Sequence, residues 1–124
     1  MINSSYKKLL YFGLLFSASL PAQIWFQIGL GNTELSCPDQ IHIQGNTYQI
    51  KNECYGEEAY YFLLEKGLIA LSKDSVEFRE RDITQRSFLQ EKSKTMTFRF
   101  KTLSSGEVQL EQGQRVFSFI PVDL

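Results

Sequence analysis

Period-two alternation dominates the chain, and its first clear instance is a hairpin. Ile41-His42-Ile43 and Tyr48-Gln49-Ile50 each alternate apolar with polar, and Gly45-Asn46 lies between them. A two-residue loop with glycine first suits a type II′ turn, whose twist matches that of the flanking strands. With Gly45-Asn46 as the loop, Gln44 faces Thr47, Ile43 faces Tyr48 and Ile41 faces Ile50. The same register carries Cys37 opposite Cys54, on the face of the apolar pairs. Pair types alternate outward from the loop, so the cysteines fall on a non-hydrogen-bonded pair, with Cα atoms roughly 4.5 Å apart. A disulfide accepts Cα separations of about 4.4–6.8 Å, so the pattern predicts a Cys37–Cys54 bridge. Pro38 has no N–H for the ladder and demands a bulge or a frayed edge there.

Further strands are expected at short intervals. Residues 59–64 form a dense apolar run, Lys66-Gly67 reads as a turn, and residues 68–71 are apolar again. Lys73-Asp74 leads to residues 75–79, in which Val76 and Phe78 alternate with charge. Glu77, Arg79, Glu80 and Arg81 read as a charged outer face, which discourages edge-to-edge pairing. Met96, Phe98 and Phe100 alternate with Thr97, Arg99 and Lys101. Residues 108–110 and 116–120 follow, and Pro121 reads as the stop of the last strand. Residues 82–94 break the pattern and read as a connection, with Asp82 placed to cap a helical turn or two. About eight strands at this spacing predict an all-β fold, a small antiparallel meander closed into a barrel or sandwich. Side chains would fill so small a barrel.

The N-terminal third reads differently. Lys7 and Lys8 precede an uncharged span from Leu9 to Thr33. Residues 9–16 have the length and density of a signal-peptide core, and Ser17 to Ala22 are small residues around a proline, as before a cleavage site. The span also exceeds the roughly 20 residues that cross a bilayer as a helix. Two organisations follow: a signal peptide over 1–22, or an uncleaved transmembrane anchor over 9–30. In either, residues 23–36 are a linker and 37–124 the exported β domain. The positive-inside rule leaves Lys7 and Lys8 in the cytoplasm and puts the folded part outside it, in the periplasm or tethered to the inner membrane.

Composition and charge narrow the function. With 43% hydrophobic and 14% aromatic residues the chain is globular. Cleavage after Ala22 removes Lys7 and Lys8 and no acid, taking the formal charge from −1 to −3. An acidic balance argues against nucleic acid and anionic lipid as partners, leaving membrane contact to residues 9–30 alone. The single histidine, His42, has no companion ligands or nucleophile motif and reads as a solvated strand residue. Ser72-Lys73 and Ser93-Lys94 lack catalytic Ser/Lys spacing, and no glycine-rich phosphate loop is present. Neither a catalytic residue, nor a metal site, nor a cofactor is expected. Tyr55, Tyr60 and Tyr61 cluster with Glu57 and Glu58 just after Cys54. Tyrosines on a constrained loop offer large contact area with few rotors to freeze, so these five are the candidate interface. Negative charge beside them suits a partner with a basic groove. The expectation is a non-enzymatic exported module that binds another envelope protein as an inhibitor, immunity-like or accessory protein. The alternative is a bitopic membrane protein whose helix anchors a β docking domain.

Mass spectrometry of the intact, unreduced, exported protein checks the leader and the bridge together. The expected species begins at Gln23 and takes up no thiol reagent until it is reduced. An intact Met1 would select the anchor, and two reactive thiols would reject the bridge.

Overall fold

The computed structural model describes residues 20–29, 35–52 and 62–123 of the chain. Its strands are β1 (Leu20–Ile28), β2 (Gln40–Gly45), β3 (Thr47–Asn52), β4 (Phe62–Leu71), β5 (Ser75–Ile83), β6 (Met96–Thr102), β7 (Val108–Gln112) and β8 (Arg115–Asp123). Each pairs antiparallel with the next, and β8 returns to β1, closing an eight-stranded barrel. The alternative of a sandwich is thereby decided.

The first hairpin has the expected register: Gln44 opposite Thr47, Ile43 opposite Tyr48, Ile41 opposite Ile50. Gly45 has a φ of +63 and Asn46 a negative one, the sign pattern of a type II′ turn. The ladder stops at Gln40–Lys51, so Pro38 stands before the strand instead of inside it. There the side chain of Asn52 takes over, its Nδ2 donating to the Cys37 and Pro38 carbonyls, each at 3.3 Å.

Elsewhere the strands divide differently from the expectation. Residues 23–28, expected in a linker, belong to β1, which seals the barrel between β2 and β8. An uncharged apolar stretch looks the same whether it is destined for lipid or for a seam between strands. Here Trp25 points inward and is buried, stacked on Phe100 at 5.8 Å. The expected anchor over 9–30 overlaps this strand; residues 1–19 lie outside the described residues. Among the described residues no helix is long and apolar enough to cross a membrane. Lys66-Gly67, expected as a turn, lies within the continuous β4. Pro121 does not stop β8 but pairs with Trp25. The β7 ladder ends at Val108–Phe119, so Pro121 has a neighbour on one side only, where proline is tolerated. No helix forms after Asp82, which lies in β5.

Aromatic side chains fill the interior. The Phe78 ring meets Tyr48 at 4.9 Å and Phe98 at 6.0 Å, both edge-on. Phe88, from the segment between β5 and β6, meets Phe117 at 4.9 Å and Phe119 at 5.2 Å. Ile41, Ile50, Leu64, Leu89 and Leu110 complete a core that leaves each of them almost no exposure. Full burial of such a side chain stabilises by about 1.5–3 kcal/mol, which is what holds so small a barrel closed.

One irregularity redirects β5. Lys66 faces Asp82 while Leu68 faces Arg79, so β5 carries one residue more than β4 across this step. Glu80 occupies the bulge with a φ of +50. Val76 and Phe78 point inward, and unbroken alternation would send Glu80 after them. The bulge shifts the phase, so Glu80 is exposed and Arg81 is buried at 1% exposure. Arg81 therefore does not belong to the charged outer face that the sequence suggests. Gly67 makes the bulge possible, because a Cβ there would stand 2.5 Å from the Arg79 carbonyl oxygen and 3.1 Å from the Tyr48 ring. Gly67→Ala is expected to destabilise by about 1–3 kcal/mol through this overpacking. Urea unfolding checks it, and an unchanged midpoint would mean that the bulge does not need glycine.

Candidate functional site

The two ends of the barrel are unlike. At one end the connections are the Gly45-Asn46 turn and residues 72–74 and 103–107. The start of β1 and the end of β8 lie there too, joined by Gln23 Nε2 donating to Asp123 Oδ1 at 2.9 Å. At the other end are the connections 29–39, 53–61 and 84–95, with a tight turn between β7 and β8. Long connections on a rigid scaffold are where binding residues concentrate, so this end is the candidate site.

Segment 84–95 closes that end by inserting Ser87, Phe88 and Leu89 into the mouth of the barrel, all three buried. Two carboxylates hold it. Asp39 Oδ2 accepts from the Phe88 N–H at 2.7 Å, and Asp39 Oδ1 accepts from Asn52 Nδ2 at 2.8 Å. Burial pushes the Asp39 carboxyl above its ordinary range, against the opposing pull of those two hydrogen bonds. Deeper, Glu65 is fully buried opposite Arg81. Arg81 Nε donates to Glu65 Oε2 and Nη2 donates to Oε1, both at 2.9 Å, a two-pronged pair. Tyr48 donates its hydroxyl to Glu65 Oε2 at 2.6 Å, and Ser87 Oγ donates to Oε1 at 3.1 Å. The remaining Arg81 arm, Nη1, donates to the Ser93 carbonyl at 2.7 Å. Four donors thus surround one carboxylate, which leaves it no free lone pair for acid–base or nucleophilic work. Its role is to fasten β3, β4, β5 and the closing segment together.

A cavity of about 350 Å³ opens beside this network, with Glu65 and Arg81 at its floor and the 84–92 stretch around its rim. A larger groove of about 600 Å³ runs along the outer wall past His42, Gln49, Lys66 and Asp82. His42 sits half-buried on the outer face, with Nε2 3.1 Å from Gln40 Oε1. Burial, then the charge of Lys51, lower its pKa and favour the neutral ring. No group of three or more metal-binding side chains occurs among the described residues.

Of the residues singled out from sequence, Cys37 is exposed in the lead into β2. Its expected partner Cys54 lies outside the described residues, as do Tyr55, Glu57, Glu58, Tyr60 and Tyr61. Their segment, 53–61, joins β3 to β4 at the candidate end. Sequence reasoning missed Asp39, Glu65 and Arg81. Glu65 did carry a signal, being a lone acid directly after Phe62-Leu63-Leu64. Arg81 carried none, because its inward turn depends on the bulge at Glu80. Comparison with protein-family models, curated proteins and solved structures finds no match to this chain.

The network makes stability sensitive to alkali. Burial, then the Glu65 carboxylate, raise the Tyr48 pKa above its ordinary value of 10.0. The folded phenol therefore keeps its proton to higher pH than the unfolded one. Its contribution is complete below pH 10.0 and is lost as pH rises beyond it. Tyr48→Phe is expected to cost about 1.5–3 kcal/mol at neutral pH, as a hydrogen bond to a charged group is lost. The variant should also lose less stability than the wild type above pH 10. Urea unfolding at both pH values checks this, and parallel declines would remove Tyr48 as the source.

Proposed function

We propose that the chain is a non-enzymatic exported envelope module that holds another protein at the long-loop end of its barrel, as an inhibitor, immunity-like or accessory protein. The observation that carries this reading is the filled interior together with the gathering of the long connections at one end. With aromatic rings occupying the core, the described part of the barrel offers no enclosed chamber, and recognition falls to its outer surface. The candidate interface, Tyr55, Glu57, Glu58, Tyr60 and Tyr61, belongs to the 53–61 connection at that end. Rigid aromatic anchors beside acidic groups suit a partner with a basic groove.

Export by a cleaved signal fits the seam of the barrel. Cleavage after Ala22 leaves β1 from Gln23 onward with its partners on β2 and β8, from Gln23–Ile43 to Ile28–Ser118. An anchor over 9–30 would take β1 out of the barrel. A helix ending before Leu20 would offer only residues 9–19, short of the roughly 20 needed to span a bilayer. The periplasm is therefore the proposed compartment, and the Cys37–Cys54 bridge the proposed staple, worth about 3 kcal/mol on the chain-entropy model.

Alanine at Tyr55, Tyr60 or Tyr61 tests the reading. At least one substitution should weaken capture of the partner from an envelope extract by about 1 kcal/mol or more, with the melting temperature unchanged. If each lowers stability by the roughly 3–5 kcal/mol of a lost core aromatic, the tyrosines belong to the core and the interface is elsewhere.

A further inference from the structure

The cavity beneath segment 84–92 has an uneven charge. Its floor is neutral, since Glu65 and Arg81 cancel one another. On its rim, the Glu91 carboxylate is turned to Arg115 at 3.3 Å. The rim cations Arg86 and Lys92 are both exposed, and no ion pair engages either among the described residues. Among the described residues the charge lining the cavity is therefore that of two cations above a cancelled pair, in a recess where low-dielectric walls strengthen their field. Thr84, Gln85 and Gln90 add a hydroxyl and two amides to the same lining. Gln90 holds a φ of +62, a conformation that costs a non-glycine residue about 1–2 kcal/mol. Strain of this kind concentrates at binding sites.

We infer that this cavity receives the carboxylate of an acidic side chain carried on the partner's polypeptide. The inference rests on the long-loop end being the contact face. A volume of about 350 Å³ falls within the range of ligand pockets, about 300–1,000 Å³. It is more than ten times the roughly 30 Å³ share of one water, so a bare oxyanion would leave most of it to solvent. A carboxylate with the chain that bears it fills the space. Arg86 supplies a two-pronged donor, Lys92 a point charge, and the rim amides bond to the carrying backbone.

Titration of the purified, isotope-labelled protein with tetraglutamate, followed by amide chemical shifts, tests the inference. Saturable shifts confined to residues 84–92 and the floor, weakened by added salt, are expected. Arg86→Ala/Lys92→Ala should reduce the affinity at least tenfold, with shifts elsewhere in the spectrum unchanged, because both side chains are exposed. Tetralysine and inorganic phosphate are the comparison probes. Equal shifts with tetralysine, saturation by phosphate alone, or unchanged affinity in the double variant would each overturn the proposal. The titration needs no partner, so its failure is distinct from failure of the interface reading. A partner whose capture depends on the tyrosines, together with a cavity that ignores tetraglutamate, would reject this site and leave the contact face standing.

Discussion

The extra residue in β5 at Glu80 governs the closed end of the barrel. It turns Arg81 inward, and a guanidinium brought into an apolar interior must find compensation. Desolvating an ion costs several kcal/mol, and a carboxylate in two-pronged contact with its remaining lone pairs occupied is what offsets it. Glu65 meets that requirement with two bonds from Arg81 and one each from Tyr48 and Ser87. Two other features of that end follow from the pair. The Tyr48 hydroxyl can be buried because Glu65 accepts from it. Segment 84–95 can cross the mouth because Ser87 and the Ser93 carbonyl are held. Gly67 is the local condition for the whole arrangement, since only a residue without Cβ admits the bulged strand so closely.

A buried ion pair is weak evidence for stability, because hydrophobic residues of similar volume often serve as well. Its contribution here is better seen as specification. The pair ties the closing segment to two strands in one geometry, while Asp39, in the lead into β2, holds it at Phe88 and is itself held to β3 by Asn52. A segment of twelve residues with no regular structure thereby becomes a fixed surface. That fixity gives the proposed contact face its value, since loops ordered before binding lose less entropy on association.

Opposition of the two ends connects fold to function. Both ends of the described chain lie at the short-turn end, and the connections that carry the candidate contacts lie at the other. The start of β1 at Leu20 is thus separated from the end with the long connections by the length of the barrel.

Much of the fold is legible in the sequence because strand alternation has a period of two and small barrels bury one face. The first hairpin, its register and its turn follow from Gly45-Asn46 and the flanking isoleucines. Eight strands are expected and eight are present, yet the agreement in number conceals two compensating differences. Residues 62–64 and 68–71, expected in two separate strands, lie in the single strand β4, and β1 emerges from residues that resemble a leader or a linker. Local pattern cannot distinguish an apolar stretch bound for lipid from one that seals a barrel, because both lack charge. Nor can it locate a bulge, since a phase shift is decided by the neighbouring strand. Arg81 reads as an outward charge for that reason, and Lys66-Gly67 reads as a turn although it lies inside β4, where the bulged neighbour leaves no room for a Cβ. The sequence by itself determined the class of fold and the register of the first hairpin. The tertiary structure alone decided the closure of β1 on β8, the inward turn of Arg81 and the cavity under segment 84–92, because each depends on contacts between residues far apart in the chain.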